Sequence, residues 1–191
     1  MKKIFIILLL LCASYCFAET FGYIGTGTSS SAVLDAVAAK NFSDHHVVSV
    51  GDTIKYLCIR AYQTTDCEID LAIYKVSAGV VADSVATATL DIVAIGSLAW
   101  DSVAVNIVPT PNDTICVAFG NESPDGVIVG YTSMGDEEGF WRVFNNSGTL
   151  SSPWVEDGAS YARYHMYANY VTASGESETF GFRRRRIMQG K

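Results

Sequence analysis

Apolar residues recur at every second position through most of this chain, and this alternation constrains its fold more than any other feature. The segment TIKYLCIRAYQ places Ile54, Tyr56 and Cys58 on one face, and EIDLAIYKV, TICVAFG and GVIVGYTSM repeat the period. Side chains alternate between two faces along a strand, whereas a helix repeats every 3.6 residues. The pattern therefore predicts strands, and the abundance of β-branched and aromatic residues in these segments favours the same structure.

The segment YARYHMYANYV, residues 161–171, is the clearest of these predicted strands. Its alternation separates two sets of side chains, Tyr164, Met166, Ala168 and Tyr170 on one face and Arg163, His165, Tyr167 and Asn169 on the other. The alanine-rich stretch AVLDAVAAKNF tolerates a helix, but its setting between strands predicts an extended segment. Turn sequences such as QTTD, PTPND and NNSG separate the strands. Short strands divided by turns predict an all-β antiparallel sandwich, of the jelly-roll type.

The first 18 residues have the organisation of a secretory signal peptide. Lys2 and Lys3 precede an apolar run at residues 4–13, and Cys16 and Ala18 suit the positions before a signal-peptidase cut. The run is shorter than the roughly 20 residues that a membrane-spanning helix needs. We therefore expect a signal helix cleaved after Ala18, a secreted or cell-surface protein, and no stable membrane span afterwards. A retained single-pass anchor is the alternative.

Charge divides the remaining chain into a β-sandwich domain at residues 19–171 and a polar spacer with a basic tail at residues 172–191. Residues 19–182 contain 6 basic and 20 acidic residues, a net charge of −14, whereas the last nine residues carry +5. So acidic a domain repels nucleic acid, and we expect no nucleic-acid partner. The tail contains four adjacent arginines, Arg183, Arg184, Arg185 and Arg186. We expect them to bind anions, either a cell-envelope polymer or another copy, unless the tail is only a solvated end.

Three cysteines remain after signal cleavage: Cys58, Cys67 and Cys116. Secretion permits a disulfide, and Cys58 and Cys67 lie on segments predicted to form a hairpin, although three buried thiols are an equal alternative. His45 and His46 are adjacent and would point to opposite faces of a strand, so we predict no metal site from them. Calcium remains possible in the acidic turns, and no other cofactor is expected.

The order of segments carries a resemblance. FGYIGTG is followed by DTIKYLCIRAYQ, CEIDLAIYKV, a tryptophan before VPTPNDTICVAFG, and a closing HMYANY. This order resembles a secreted module common in archaeal and bacterial surface proteins, whose members are similar to the jelly-roll β-sandwiches of carbohydrate-binding modules. The likeness extends from Thr20 to Val171. It implies a non-catalytic unit at the cell surface, in which Tyr74 and Trp100 are packing residues.

Catalytic motifs are incomplete. GYTSMG places Tyr131 where a nucleophile elbow around Ser133 needs its first glycine. GTGTSS lacks the third glycine and the following helix of a dinucleotide loop. A glycoside hydrolase needs two facing carboxylates, and the candidates are Asp136, Glu137, Glu138, Glu156 and Asp157. These acids lie in turns, where solvated carboxylates are ordinary, so we expect no enzyme.

Aromatic residues offer the stronger functional signal. Trp141 and Trp154 border the same predicted connection, and indole rings stack on the apolar faces of sugars. The other candidate ligand-binding residues are Tyr131, Asn145, Asn146, Glu156 and Asp157. The sequence thus predicts an exported carbohydrate-binding module with exposed Trp154 and Tyr131. The alternatives are tryptophans that plug the end of the sandwich, a self-associating structural subunit of a surface layer or particle, and a glycoside hydrolase that uses the loop carboxylates.

Overall fold

The computed structural model describes residues 18–25, 30–34, 37–41, 44–64, 67–77, 80–94, 96–121, 127–133, 142–145, 150–154, 158–160 and 162–172. These residues form fourteen β-strands and no helix. Within the same ranges there is accordingly no helix with the length and apolarity needed to cross a membrane. The predicted signal helix, residues 1–17 of the predicted signal peptide and the basic tail lie outside the described residues.

The strands form two antiparallel sheets of seven strands each. Sheet A contains β1 (Glu19–Tyr23), β2 (Ser30–Leu34), β5 (Thr53–Gln63), β8 (Ala99–Ile107), β10 (Val127–Ser133), β13 (Ala162–Tyr164) and β14 (Met166–Val171). Sheet B contains β3 (Val37–Asn41), β4 (His46–Val47), β6 (Glu68–Ser77), β7 (Val80–Asp91), β9 (Thr114–Asn121), β11 (Arg142–Asn145) and β12 (Gly158–Ser160). The predicted all-β antiparallel sandwich is confirmed. The extended structure of AVLDAVAAKNF is confirmed as well, since this segment contributes to β2 and contains the whole of β3.

Strand order places β5 at the centre of sheet A. One side of β5 pairs with β14 and then with β10, and its other side pairs with β8. Strand β1 lies beyond β14, and β2 lies beyond β10. Sheet B runs β12-β11-β3-β9-β6-β7, with β4 also paired to β9. Near the start of β5, sheet A is therefore a four-stranded surface in the order β1-β14-β5-β8.

The hydrophobic core fills the space between the sheets. Leu57 and Ile59 from β5 and Leu71 from β6 are fully buried there. The rings of Phe119 and Tyr164, one from each sheet, meet edge to face at 5.0 Å. Burial of each such side chain stabilises the fold by about 1.5–3 kcal/mol. The core therefore depends on the alternation that the sequence shows.

The predicted last strand is interrupted at His165 and forms β13 and β14, but it keeps its predicted alternation, whereas β5 departs from a simple one. Tyr164, Met166, Ala168 and Tyr170 are buried in the core, as predicted. In β5 the pairing register with β14 shifts between Ile54 and Tyr56, since their partners Tyr170 and Asn169 are adjacent in the sequence. Because this β-bulge adds a residue, Ile54 and Leu57 both face the core, while Tyr56 and Cys58 face outward. The expectation that Ile54 shares a face with Tyr56 and Cys58 is wrong for this reason.

The cysteines occupy three different layers of the sandwich. Strands β5 and β6 belong to different sheets, so the predicted hairpin that would join Cys58 to Cys67 is wrong. Cys58 lies on the outer face of sheet A, Cys67 lies in the core, and Cys116 lies on the outer face of sheet B. All three are buried free thiols, which agrees with the alternative of three small hydrophobic side chains.

Trp154 covers the outer face of sheet B. Its indole is only 8% exposed and meets the ring of Tyr74 edge-on at 5.3 Å. The Tyr74 hydroxyl donates a hydrogen bond of 2.8 Å to the carbonyl oxygen of Ser151. Ala72 and Ala118 provide the shallow floor on which this ring packs. The expectation of an exposed Trp154 is therefore wrong. The ring is covered, as in the alternative of a plug, but it packs on the outer face of sheet B and not at the end of the sandwich.

We predict that Trp154→Ala lowers the free energy of unfolding by about 3–5 kcal/mol, because it removes a buried indole and leaves a cavity. Trp100→Ala is the matched control, since Trp100 is 39% exposed and its loss should cost about 1 kcal/mol or less. Urea denaturation of both variants measures the difference. Equal losses of stability in the two variants would contradict the burial described for Trp154.

Candidate functional site

The structure separates two of the residues that the sequence predicted as one site, Tyr131 and Trp154. Tyr131 lies in β10, is half-buried, and packs on the core beside the ring of Tyr164 at 6.2 Å. It therefore faces inward from sheet A, whereas Trp154 lies on the outer face of sheet B. Asn145 is the last residue of β11. Outside the described residues lie Trp141, Asn146, Asp136, Glu137, Glu138, Glu156, Asp157, Arg183, Arg184, Arg185 and Arg186.

A depression of about 280 Å³ lies instead on the outer face of sheet A. We call it the aromatic groove. Its lining residues come from three adjacent strands, β5, β8 and β14, and are Tyr56, Cys58, Trp100, Asp101, Ser102, Tyr167 and Asn169. Because all three strands belong to a paired sheet, the floor of this groove is a fixed surface rather than a loop.

Strand register brings the lining residues together. Cys58 on β5 lies between Tyr167 on β14 and Ser102 on β8. Two residues further along both strands, Asn169 of β14 is opposite Tyr56 of β5. Neighbouring strands are about 4.8 Å apart, so side chains opposite each other across this face are in contact range. Residues that are 44 positions apart in the sequence, as Cys58 and Ser102 are, or 113 positions apart, as Tyr56 and Asn169 are, thus become direct neighbours.

The groove has aromatic walls. Trp100 and Tyr56 are 39% and 46% exposed, which is unusual for rings of this size. The Trp100 ring meets Tyr167 at a centroid distance of 4.9 Å and an interplanar angle of 67°. This edge-to-face contact fixes the orientation of both rings. The arrangement presents exposed aromatic surface beside a shallow polar floor.

Cys58 and Tyr167 form the floor. The Tyr167 hydroxyl donates a hydrogen bond to the Cys58 sulfur, and burial raises the pKa of both groups, that of Tyr167 to about 12. Desolvation disfavours the charged form of each side chain. The Cys58 thiol is consequently protonated at neutral pH and does not supply the thiolate that a cysteine nucleophile requires.

Polar groups complete the lining. Asn169 contributes an amide and Ser102 a hydroxyl, both of which can donate and accept hydrogen bonds. Asp101 is the single carboxylate among the seven lining residues, and its Oδ2 accepts a 2.8 Å hydrogen bond from the backbone nitrogen of Val93. The groove thus offers neutral hydrogen-bonding groups and one carboxylate next to aromatic faces.

The sequence contained a signal for this site. In AWDSVAVNI, Val103, Val105 and Ile107 pack against the core, so the same period places Trp100 and Ser102 on the opposite face. Trp100 does pack against Tyr167, in line with the packing role that the resemblance implied, but it remains 39% exposed. The same implication for Tyr74 is confirmed by its complete burial.

His165 lies beside the groove at a junction of three strands. It separates β13, which pairs with β10, from β14, which pairs with β5. Its backbone nitrogen donates to the carbonyl of Gly130, and its carbonyl accepts from the nitrogen of Arg60, both at 2.9 Å. One residue therefore closes both ladders at the point where the strand changes partner.

The His165 ring is fully buried although it points to the outer side of sheet A. Its Nε2 is hydrogen-bonded to Thr132 Oγ1 at 2.9 Å, and the Tyr23 ring packs edge-on at 5.4 Å. Gly25 covers the ring so closely that a Cβ at this position would collide with the imidazole. Burial and the positive charge of Arg60 lower the pKa of His165 to about 4.

Arg163 stabilises the surroundings of His165 through its contacts with Tyr23 and Asp44. Its guanidinium lies 3.9 Å from the centre of the Tyr23 ring. Two of its nitrogens donate hydrogen bonds to the carboxylate of Asp44, one of them at 2.7 Å. A cation over an aromatic face together with a two-point ion pair stabilises the position of Tyr23 over His165.

Metal-binding geometry is not found in this part of the molecule. Among the residues that the structure describes, no three or more histidine, cysteine, aspartate or glutamate side chains come together as a metal-ligand group. The acidic turn GDEEG, one basis for the calcium alternative, lies outside the described ranges.

Comparison with known proteins shows a likeness of fold. No protein-family model matches the chain, and no curated protein matches its sequence. Two solved structures of the clostridial cysteine protease Cwp84 do match, one after propeptide cleavage and one of the cysteine protease and lectin-like domains of this surface layer associated protein of Clostridium difficile. Each is 12% identical with a TM-score of 0.56, and the match covers 82% of this chain. The chain spans 40% and 36% of those proteins, and at this identity the likeness shows the fold alone.

We predict that the free energy of unfolding falls by about 3 kcal/mol as pH is lowered from about 6.5 to about 4 because of His165. In that window the unfolded chain binds a proton at this histidine that the folded chain excludes. Denaturation at several pH values should show a smaller decrease in His165→Asn than in the original protein. His45→Gln, at an exposed position, is the control and should leave the pH dependence of the original protein unchanged.

Proposed function

We propose that this domain is a non-catalytic module that binds carbohydrate at the cell surface through the aromatic groove. The observation that carries the proposal is the pair of exposed rings, Trp100 and Tyr56, on the strands of a rigid sheet face. Exposed aromatic residues in a depression are typical of binding sites rather than of a solvated surface.

The chemistry of the groove suits a sugar. A pyranose ring has an apolar C–H face, which stacks on an indole or phenol ring, and a rim of hydroxyl groups. Asn169 and Ser102 supply neutral hydrogen-bonding groups for such a rim. Because the rings are already fixed by packing, as with Trp100 against Tyr167, little conformational entropy is lost when a ligand binds.

The likeness of fold supports a surface role. Cwp84 is described as a surface layer associated protein, and one of the two structures contains lectin-like domains. The amino-terminal sequence, with its basic residues and short apolar run, supports export of this chain as well.

A binding role is favoured over a catalytic one by the groups in the groove. Glycoside hydrolysis uses two carboxylic groups that flank the scissile bond, whereas the groove is lined by the single carboxylate of Asp101. That carboxylate already accepts a hydrogen bond from the backbone of Val93. Cys58 is held protonated and hydrogen-bonded to Tyr167.

We predict that Trp100→Ala weakens glycan binding at least tenfold, because stacking on the ring contributes a large share of the affinity. Tyr56→Ala should also weaken binding. A glycan array, followed by isothermal titration calorimetry with the glycans that bind, measures the effect. Val50→Ala is the control, since Val50 is 81% exposed and does not line the groove.

Two outcomes would contradict the proposal. Full glycan affinity in Trp100→Ala would move the binding site away from the groove. Turnover of a polysaccharide by the purified protein would replace the binding role with a catalytic one. Solution mass at increasing protein concentration tests the self-associating alternative independently.

A further inference from the structure

Charged side chains are distributed unequally between the two outer faces of the sandwich. On sheet B, Glu68, Asp70 and Asp91 point outward, because their strand neighbours Ile69 and Leu90 lie in the core. On sheet A the strand β5 carries two cations beside the groove, Lys55 and Arg60, whereas the one carboxylate that lines the groove, Asp101, accepts a hydrogen bond from the backbone of Val93. This contrast arises in a domain whose residues 19–182 have a net charge of −14.

Lys55 lies at one end of the groove. Its Nζ donates a 2.6 Å hydrogen bond to Asn106 Oδ1 on the neighbouring strand β8. Lys55 is adjacent to Tyr56, one of the groove's aromatic residues, so an ammonium group lies close to that wall. The bond to a neutral amide leaves the positive charge of Lys55 uncancelled by that partner.

Arg60 lies at the other end. It is opposite Trp100 in the register of β5 and β8. Its neighbours Ile59 and Ala61 are buried in the core, so the Arg60 side chain points to the outer face. The depressed pKa of His165, caused in part by the charge of Arg60, agrees with this placement. The two cations are five residues apart on β5, a distance of about 17 Å along an extended strand.

From this charge placement we infer that the groove takes an anionic carbohydrate, a glycan chain that carries carboxylate groups. The inference rests on the proposed function and names its ligand class. A cation at each end of an aromatic groove gives carboxylates two positions for charge-assisted hydrogen bonds. A neutral glycan could accept ordinary hydrogen bonds at these positions but would not gain the charge assistance.

Charge spacing favours an acidic glycan over a nucleic acid. A nucleic acid carries a phosphate at every nucleotide and is repelled by a strongly acidic domain. Two cations about 17 Å apart suit a chain with acidic groups separated by several bonds, whose lower charge density reduces this repulsion. The aromatic walls stack on the sugar rings between those groups.

The test compares matched ligands on the full chain. A panel of uronic-acid oligosaccharides is measured beside the methyl esters of the same oligosaccharides, which keep the sugar rings and remove the charge. We predict at least tenfold tighter binding of the acids, and a loss of this preference as salt is raised. Lys55→Gln should lower affinity for the acids and leave affinity for the esters unchanged.

Control variants separate local charge from a general effect. Lys75→Gln removes an exposed cation on sheet B, where Lys75 forms an ion pair with Asp113, and should leave binding unchanged. Arg60→Lys keeps the charge and should retain more affinity for the acids than Arg60→Gln. Thermal melts of each variant confirm that the fold is intact.

Each contrary result has a distinct meaning. Equal affinity for acids and esters that is lost in Trp100→Ala would overturn the anionic class and leave the proposed function standing. Binding of a neutral glycan-array member but of no uronic-acid oligosaccharide would do the same. Failure to bind any glycan, acidic or neutral, would overturn both, and tight binding of a dT oligonucleotide in place of the acids would assign the groove to nucleic acid.

Discussion

The junction at His165 is the constraint on which the rest of sheet A depends. A strand that changes partners must leave one ladder and enter another without abandoning its backbone hydrogen bonds. His165 does this with one donated and one accepted bond, to Gly130 and from Arg60. At this position the His165 ring is buried under Gly25. A Cβ on residue 25 would collide with the ring, so this residue must be glycine. Because β14 then runs beside β5, Tyr167 is carried into the aromatic groove.

The groove is a consequence of register and of one irregularity. The β-bulge between Ile54 and Tyr56 turns Tyr56 outward while Leu57 returns to the core. In a regular strand Ile54 and Tyr56 would lie on the same face, so either Ile54 would leave the core or Tyr56 would leave the groove. The fold itself is less demanding, since Cwp84 shares it at 12% identity. Local departures from regular pairing, rather than the sandwich as such, place the side chains that line the groove.

The two described tryptophans show where reasoning from sequence alone is insufficient. Neighbouring turn residues made Trp154 look exposed, and a resemblance made Trp100 look structural. The structure buries Trp154 against Tyr74, because residues 150–154 lie over sheet B. Trp100 packs on Tyr167 but also remains partly open to solvent on sheet A. Exposure depends on which distant segment covers a face, and that information is not contained in the local pattern. The alternation in AWDSVAVNI did indicate the face of Trp100, but not what covered it.

The sequence by itself determined the strands, the all-β class and much of the core, because the side-chain period of two is a local property of extended backbone. It correctly divided the last strand into buried Tyr164 and Met166 and outward Tyr167. Only the tertiary structure decided which strands pair, and hence that Cys58 and Cys67 lie in different layers and that Trp100 meets Tyr167. Pairing is a long-range choice: it is set by burial of one face of every strand at once, so no single segment can specify its neighbour.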